Sequence, residues 1–181
     1  SNGDFEFDVL PFLLTTSGLL FSGGMMMNDY TDHRIDLIER PNRPLPSKKI
    51  SRQKTLFLII ICFVVANISA LMIGETSIII SLIMTILIIS YNFRLKSTVL
   101  TGAITLSVIR FLNVVLGFSI IEINFDIIPY GIPIGIYVIG ISILAKNELR
   151  SNSRDIILNK IFLFAVVVSI IYLIIQYNSW I

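Results

Sequence analysis

Apolar and polar positions fall in long blocks along this chain. Several apolar blocks approach the roughly twenty residues that cross a bilayer core as a helix. Lipid offers an open chain no other way to satisfy its backbone, so each such block is read as a helix. Six spans are predicted, at about Val9–Met27, Leu56–Ile73, Thr76–Ser90, Val99–Ile121, Ile127–Ala145 and Leu158–Gln176. Gly74-Glu75 joins the second and third and is too short for anything but an antiparallel hairpin. Pro129 and Pro133 sit in the first turns of the fifth, where proline is tolerated or kinks the helix. The predicted fold class is all-α, a polytopic membrane helix bundle forming one transmembrane domain over residues 1–181.

Composition supports this. Residues of the set AVILMFWYC make up 55% of the chain and charged residues only 14%, too few to keep 181 residues in solution. Cys62 is the single cysteine and lies mid-span, so no intrachain disulfide forms. The chain opens Ser-Asn-Gly, with no basic n-region and no small-residue cleavage site, so no signal peptide is expected. Trp180, with Tyr172 and Tyr177, reads as an aromatic belt.

The distribution of charge says more than its net value of +2. Connections 28–54, 91–98 and 146–160 carry thirteen of the fourteen Lys and Arg residues. The opposite side carries Asp4, Glu6, Asp8, Glu75, Glu122 and Asp126. The positive-inside rule then places the basic connections in the cytoplasm. The remaining basic residue, Arg110, lies within the fourth span and costs at least about 2.5 kcal/mol if it faces lipid. Ser107, Asn113 and Gly117 share its helical face, which is therefore expected to look into the bundle or onto water.

Candidate chemistry concentrates between Asn28 and Ser51. If the first helix runs past Met27, Asp29, Asp32 and Asp36 fall within an arc of about 60°, flanked by Asn28. Three carboxylates on one face repel each other, and a divalent cation removes that repulsion. An all-oxygen donor set suits a hard ion, Mg²⁺ first. Arg40, Arg43, Lys48 and Lys49 follow in a segment that Pro41, Pro44 and Pro46 are expected to hold extended. Guanidinium forks bind phosphate bidentately, so acids, metal and basic arm together read as a diphosphate site. His33, the only histidine, lies away from the acids, and a zinc site is not expected.

The pattern Asn28-Asp29-x-x-Asp32-x-x-x-Asp36, then Arg40-Pro41-x-Arg43-Pro44-x-Pro46-Ser47, resembles the first aspartate-rich motif of the UbiA-type intramembrane prenyltransferases. The likeness is nearest the branch that holds chlorophyll synthase and the archaeal digeranylgeranylglyceryl phosphate synthases. One departure is Lys48, where that branch usually has glycine. The segment Tyr91-Asn92-Phe93-Arg94-Leu95-Lys96 resembles the family's Tyr-x-x-x-x-Lys segment. The resemblance implies that Tyr91 lies near the departing allyl carbon and that Lys96, with Arg94, helps hold diphosphate. The family's second aspartate-rich motif is reduced here to Glu148 and, seven residues on, Asp155. The six spans match the second to seventh helices of a nine-helix fold.

The resemblance implies Mg²⁺-dependent transfer of a prenyl group from a polyprenyl diphosphate to a lipophilic or aromatic acceptor in the bilayer. The implied metal set is Asn28, Asp29, Asp32, Asp36, Glu148 and Asp155. The implied diphosphate set is Asn28, Arg40, Arg43, Arg94, Lys96, Arg110 and Asn113. Asp29, Asp32, Asp36, Tyr91 and Lys96 are the expected catalytic residues. No nucleic-acid partner is expected. The reduced second motif leaves an alternative, a catalytically impaired member that binds or carries isoprenoid lipids. A CDP-alcohol phosphotransferase is disfavoured, because its Asp-Gly-x-x-Ala-Arg pattern is absent.

Overall fold

The computed structural model describes residues 7–120, 128–147 and 167. Among the described residues the chain forms six α-helices and no strand. They are α1 (Leu10–Thr31), α2 (His33–Glu39), α3 (Arg52–Ile73), α4 (Glu75–Phe93), α5 (Val99–Phe118) and α6 (Ile128–Asn147). Single 3₁₀ turns cover Phe7–Val9 and Leu95–Ser97. Helices α1, α3, α4 and α5 are each long and apolar enough to cross a membrane. Many of their large apolar side chains are exposed, such as Phe57 at 63% and Ile86 at 62%, as a lipid solvent requires. Five predicted spans therefore meet helices, and the sixth, Leu158–Gln176, lies outside the described residues.

Helix ends differ from the predicted spans in one direction at the charged end. There α1 runs on to Thr31, α3 starts back at Arg52, and α4 continues to Phe93. Hydropathy finds only the stretch that lipid touches, whereas the backbone hydrogen bonds continue through polar residues. Pro11 opens α1, where its missing N–H costs nothing. Ser51 caps α3, its hydroxyl accepting from the Lys54 N–H at 3.3 Å. Gly74, at φ 154°, makes the α3–α4 turn in a conformation that side chains avoid.

The chain divides into two compact units, Ser1–Arg94 with Ser119–Ile121, and Leu95–Phe118 with Glu122–Ile181. In the first unit, α1 packs on α3 and α4 along a seam of small residues. A Cβ on Gly23 would stand 2.7 Å from the Phe63 ring, and one on Gly24 would stand 3.2 Å from Ile88. Close helix approach through glycine is how membrane helices gain packing without a hydrophobic drive. The Thr16 hydroxyl donates to the Ala66 carbonyl at 3.2 Å across that seam. Between α3 and α4, Asn67 donates to Thr85 Oγ1 at 3.1 Å and accepts from Ser81 at 2.9 Å.

In the second unit, α5 packs on α6. Ser107 donates to the Gly135 carbonyl at 2.8 Å, and a Cβ on Gly131 would collide with the Phe111 ring. Pro133 lies inside α6, not at its start alone.

Candidate functional site

Residue directions in the first unit place the candidate residues together. Helix α1 runs antiparallel to α3, since Thr16 meets Ala66 while Gly23 meets Phe63. Helix α4 returns antiparallel to α3 through the Gly74 turn. The ends of α1 and α4 and the start of α3 therefore share one end of the unit, with α2 and the 40–51 loop there too.

The expected continuous helix over the three aspartates bends. Asp32, at φ −88° and ψ 5°, both ends α1 and precedes α2. Its N–H still donates to the Asn28 carbonyl, and its own carbonyl accepts from Ile35 and Asp36, all at 2.9 Å. The chain thus turns without unwinding, and the three acids do not line one straight face.

The basic segment also differs from expectation. Residues 40–51 fold into successive turns instead of an extended arm, with Ser47 N–H on the Arg43 carbonyl and Ile50 N–H on the Pro44 carbonyl. Prolines fix φ locally, but the direction of the loop is set by burying Leu45 and Pro46. That fold returns Arg43 to the acids. Its Nη1 donates to Asp29 Oδ1 at 2.7 Å and to Asp36 Oδ2 at 2.8 Å.

Asp36 is only 3% exposed, so its carboxylate needs a partner, and Arg43 supplies it. The Arg52 guanidinium lies 4.5 Å above the Tyr30 ring and ties the start of α3 to the end of α1. Tyr91 lies in the last turn of α4, which packs on α1 where Ile88 meets Gly24.

Other expected residues divide. Arg40 and Arg94 are exposed at the same end of the unit. Lys96, Arg110 and Asn113 belong to the second unit, where Arg110 is exposed and Asn113 half-buried. Glu148 and Asp155 lie outside the described residues. Two polar atoms at the acidic end are buried with no hydrogen-bond partner among the described residues, His33 Nδ1 and Asn92 Oδ1. Asn92 is not among the site residues expected from the sequence. Its signal was the α4 stripe Ser77, Ser81, Met84, Ile88, Asn92, at spacings that put all five on one buried face.

Among the described residues, no three acids, histidines or cysteines gather closely enough to cage a metal. Two carboxylates do converge, on the Arg43 nitrogen that is their counter-charge in this structure. Mg²⁺ usually takes only one or two carboxylates and completes its shell with waters and substrate phosphate, so this donor set fits it.

A multi-span helical membrane protein with a paired-acid, guanidinium site at one end of its helices is the class these features define. A profile of the UbiA prenyltransferase family matches residues 1–179, and the chain belongs to that family. It is 36% identical over 118 residues to the digeranylgeranylglyceryl phosphate synthase of Methanothermobacter thermautotrophicus, covering 64% of this chain and 41% of the relative. It is 36% identical over 94 residues to the enzyme of that name from Methanosphaera stadtmanae, covering 52% and 35%. Over 86 residues it is 36% identical to the Pyrococcus furiosus enzyme of that name, covering 48% and 31%. The matches thus span about two-fifths or less of these relatives' length. No solved structure matches the chain.

Proposed function

We propose that the chain carries the diphosphate site of a membrane prenyltransferase that moves a prenyl group from a polyprenyl diphosphate to a lipophilic acceptor. The observation that carries this reading is the Arg43 nitrogen held between Asp29 and Asp36. The names of its relatives favour a glyceryl phosphate lipid as acceptor. The clustering of basic residues favours a site facing the cytoplasm.

Asp29 and Asp36 would hold Mg²⁺, with Asp32 and Asn28 beside them. When bound, the ion supplies positive charge against the leaving diphosphate. With an ion on the acids, the Arg43 guanidinium, which bonds both of them here, would be released to phosphate oxygens, which its fork suits. Tyr91, in the last turn of α4, is proposed to offer an aromatic face that would stabilise developing positive charge on an allyl carbon by roughly 0.5–2 kcal/mol. Lys96, Arg94, Arg40, Arg110 and Asn113 are proposed to add charge and hydrogen bonds to the diphosphate, and Glu148 with Asp155 to add acid to a second metal position.

A second reading has its own support. Arg43 already pairs with two acids, as in a chain that binds isoprenoid diphosphates without turnover. Diphosphate release from geranylgeranyl diphosphate, with geranylgeranylglyceryl phosphate as acceptor, separates the two. Mg²⁺-dependent release that Asp32→Asn abolishes supports the enzyme. Donor binding without release overturns it in favour of the carrier.

A further inference from the structure

Asn92 is 3% exposed and sits in the last turn of α4. Its Nδ2 donates to the Ile88 carbonyl at 2.9 Å. That bond fixes the amide's orientation and leaves Oδ1 as the atom without a partner among the described residues. A buried acceptor is rarely left unpaired, and an unpaired one calls for an explanation.

Its position supplies one. Ile88 meets α1 at Gly24, and α1 and α4 run in the same direction. One turn further along both helices, Asn92 comes level with Asn28, the residue that begins the acidic motif. An orphaned carbonyl oxygen therefore stands on the buried face of α4 at the height of the acids. An acceptor calls for a hydrogen-bond donor, and a hydrated cation held by acids at that height would bring one. Mg²⁺ gives up its waters reluctantly, and those waters donate strongly.

We propose that Asn92 belongs to the cation site, its Oδ1 accepting a hydrogen bond from a water of the hydrated divalent ion. The inference rests on the metal site proposed above. Asn92 is a positioning residue in it, holding the ion's shell and not the diphosphate.

The test uses Mn²⁺ as probe, titrated by electron paramagnetic resonance into the full chain in detergent, with thermal unfolding measured on the same samples. Asn92→Leu is expected to weaken Mn²⁺ binding about tenfold or more, the range found for partners of metal shells. It is expected to leave the unfolding midpoint unchanged or raised, because it removes an unpaired buried amide. Asn92→Asp keeps an acceptor oxygen and is expected to bind Mn²⁺ at least as tightly as the parent. Parent-like affinity in Asn92→Leu overturns the inference alone. So does a loss of affinity that tracks a lowered midpoint, which would make the amide merely structural. A parent chain that binds no Mn²⁺ overturns the metal site itself.

Discussion

Two parts of the first unit bury polar side chains, and they treat them differently. Midway along α3 and α4, Asn67, Ser81 and Thr85 close a ring of bonds. Asn67 donates to Phe63 O and Thr85, Ser81 donates to Asn67, and Thr85 donates to Ser81 O. At the acidic end, one guanidinium serves two carboxylates while Asn92 Oδ1 and His33 Nδ1 have no partner among the described residues. A closed network has finished its work once the helices pack. An open one keeps hydrogen-bonding capacity for something that arrives later, and such locally unsatisfied places are where function is expected.

The strongest test of that contrast removes Arg43. Asp36 would then be a buried carboxylate without its cation, so Arg43→Leu should cost about 3 kcal/mol, the low end of the range because Arg43 itself is partly exposed. Asp36→Asn in the same chain should recover most of the loss in a chemical-unfolding titration. No recovery would mean that the pair is not what stabilises this end. Next in size is Gly23→Ala, which pushes into the Phe63 ring and should cost about 2 kcal/mol. Gly18→Ala meets nothing within 4 Å and should be neutral or mildly stabilising. Equal effects from the two glycines would remove the close α1–α3 approach from the account.

The same contrast explains what could be read from residue order. Helices were legible because their apolar length is set by the bilayer, and the Gly74 turn because two residues allow one geometry. The Asp32 bend and the loop that brings Arg43 back were not. Local rules for proline predict an extended arm, and burial of Leu45, a tertiary event, overrides them. Asn92 was hidden because hydropathy ended the span at Ser90 and made Asn92 part of a connection. In fact α4 continues to Phe93 and carries the amide inward on its buried stripe. The Asp29–Asp36 pairing was foreseeable as proximity on one side of the chain, but its organisation around a single arginine nitrogen was not.

Smaller effects sharpen the comparison further. Asn67→Leu should cost about 1 kcal/mol, since Ser81 and Thr85 can fall back on carbonyls of their own helix. It should leave Mn²⁺ affinity untouched; a change there would mean that the mid-span network and the acidic end are coupled.

Lys48 gives a small expected shift and the most local one. It is the only residue other than glycine with positive φ among the described residues, at 60°, where side chains cost about 1–2 kcal/mol. A left-handed turn favours glycine at this position. Lys48→Gly relieves that strain but adds freedom to the unfolded chain worth up to about 1 kcal/mol, so the net gain should be about 0.5–1 kcal/mol. The turn it completes, with the Lys48 N–H on the Leu45 carbonyl at 3.2 Å, supports the loop that returns Arg43. A raised unfolding midpoint with unchanged diphosphate binding would show that Lys48 is a strained turn residue. Weaker binding despite the raised midpoint would show that its exposed ammonium had been recruited to the diphosphate, extending the open, ligand-seeking end of the unit by one more residue.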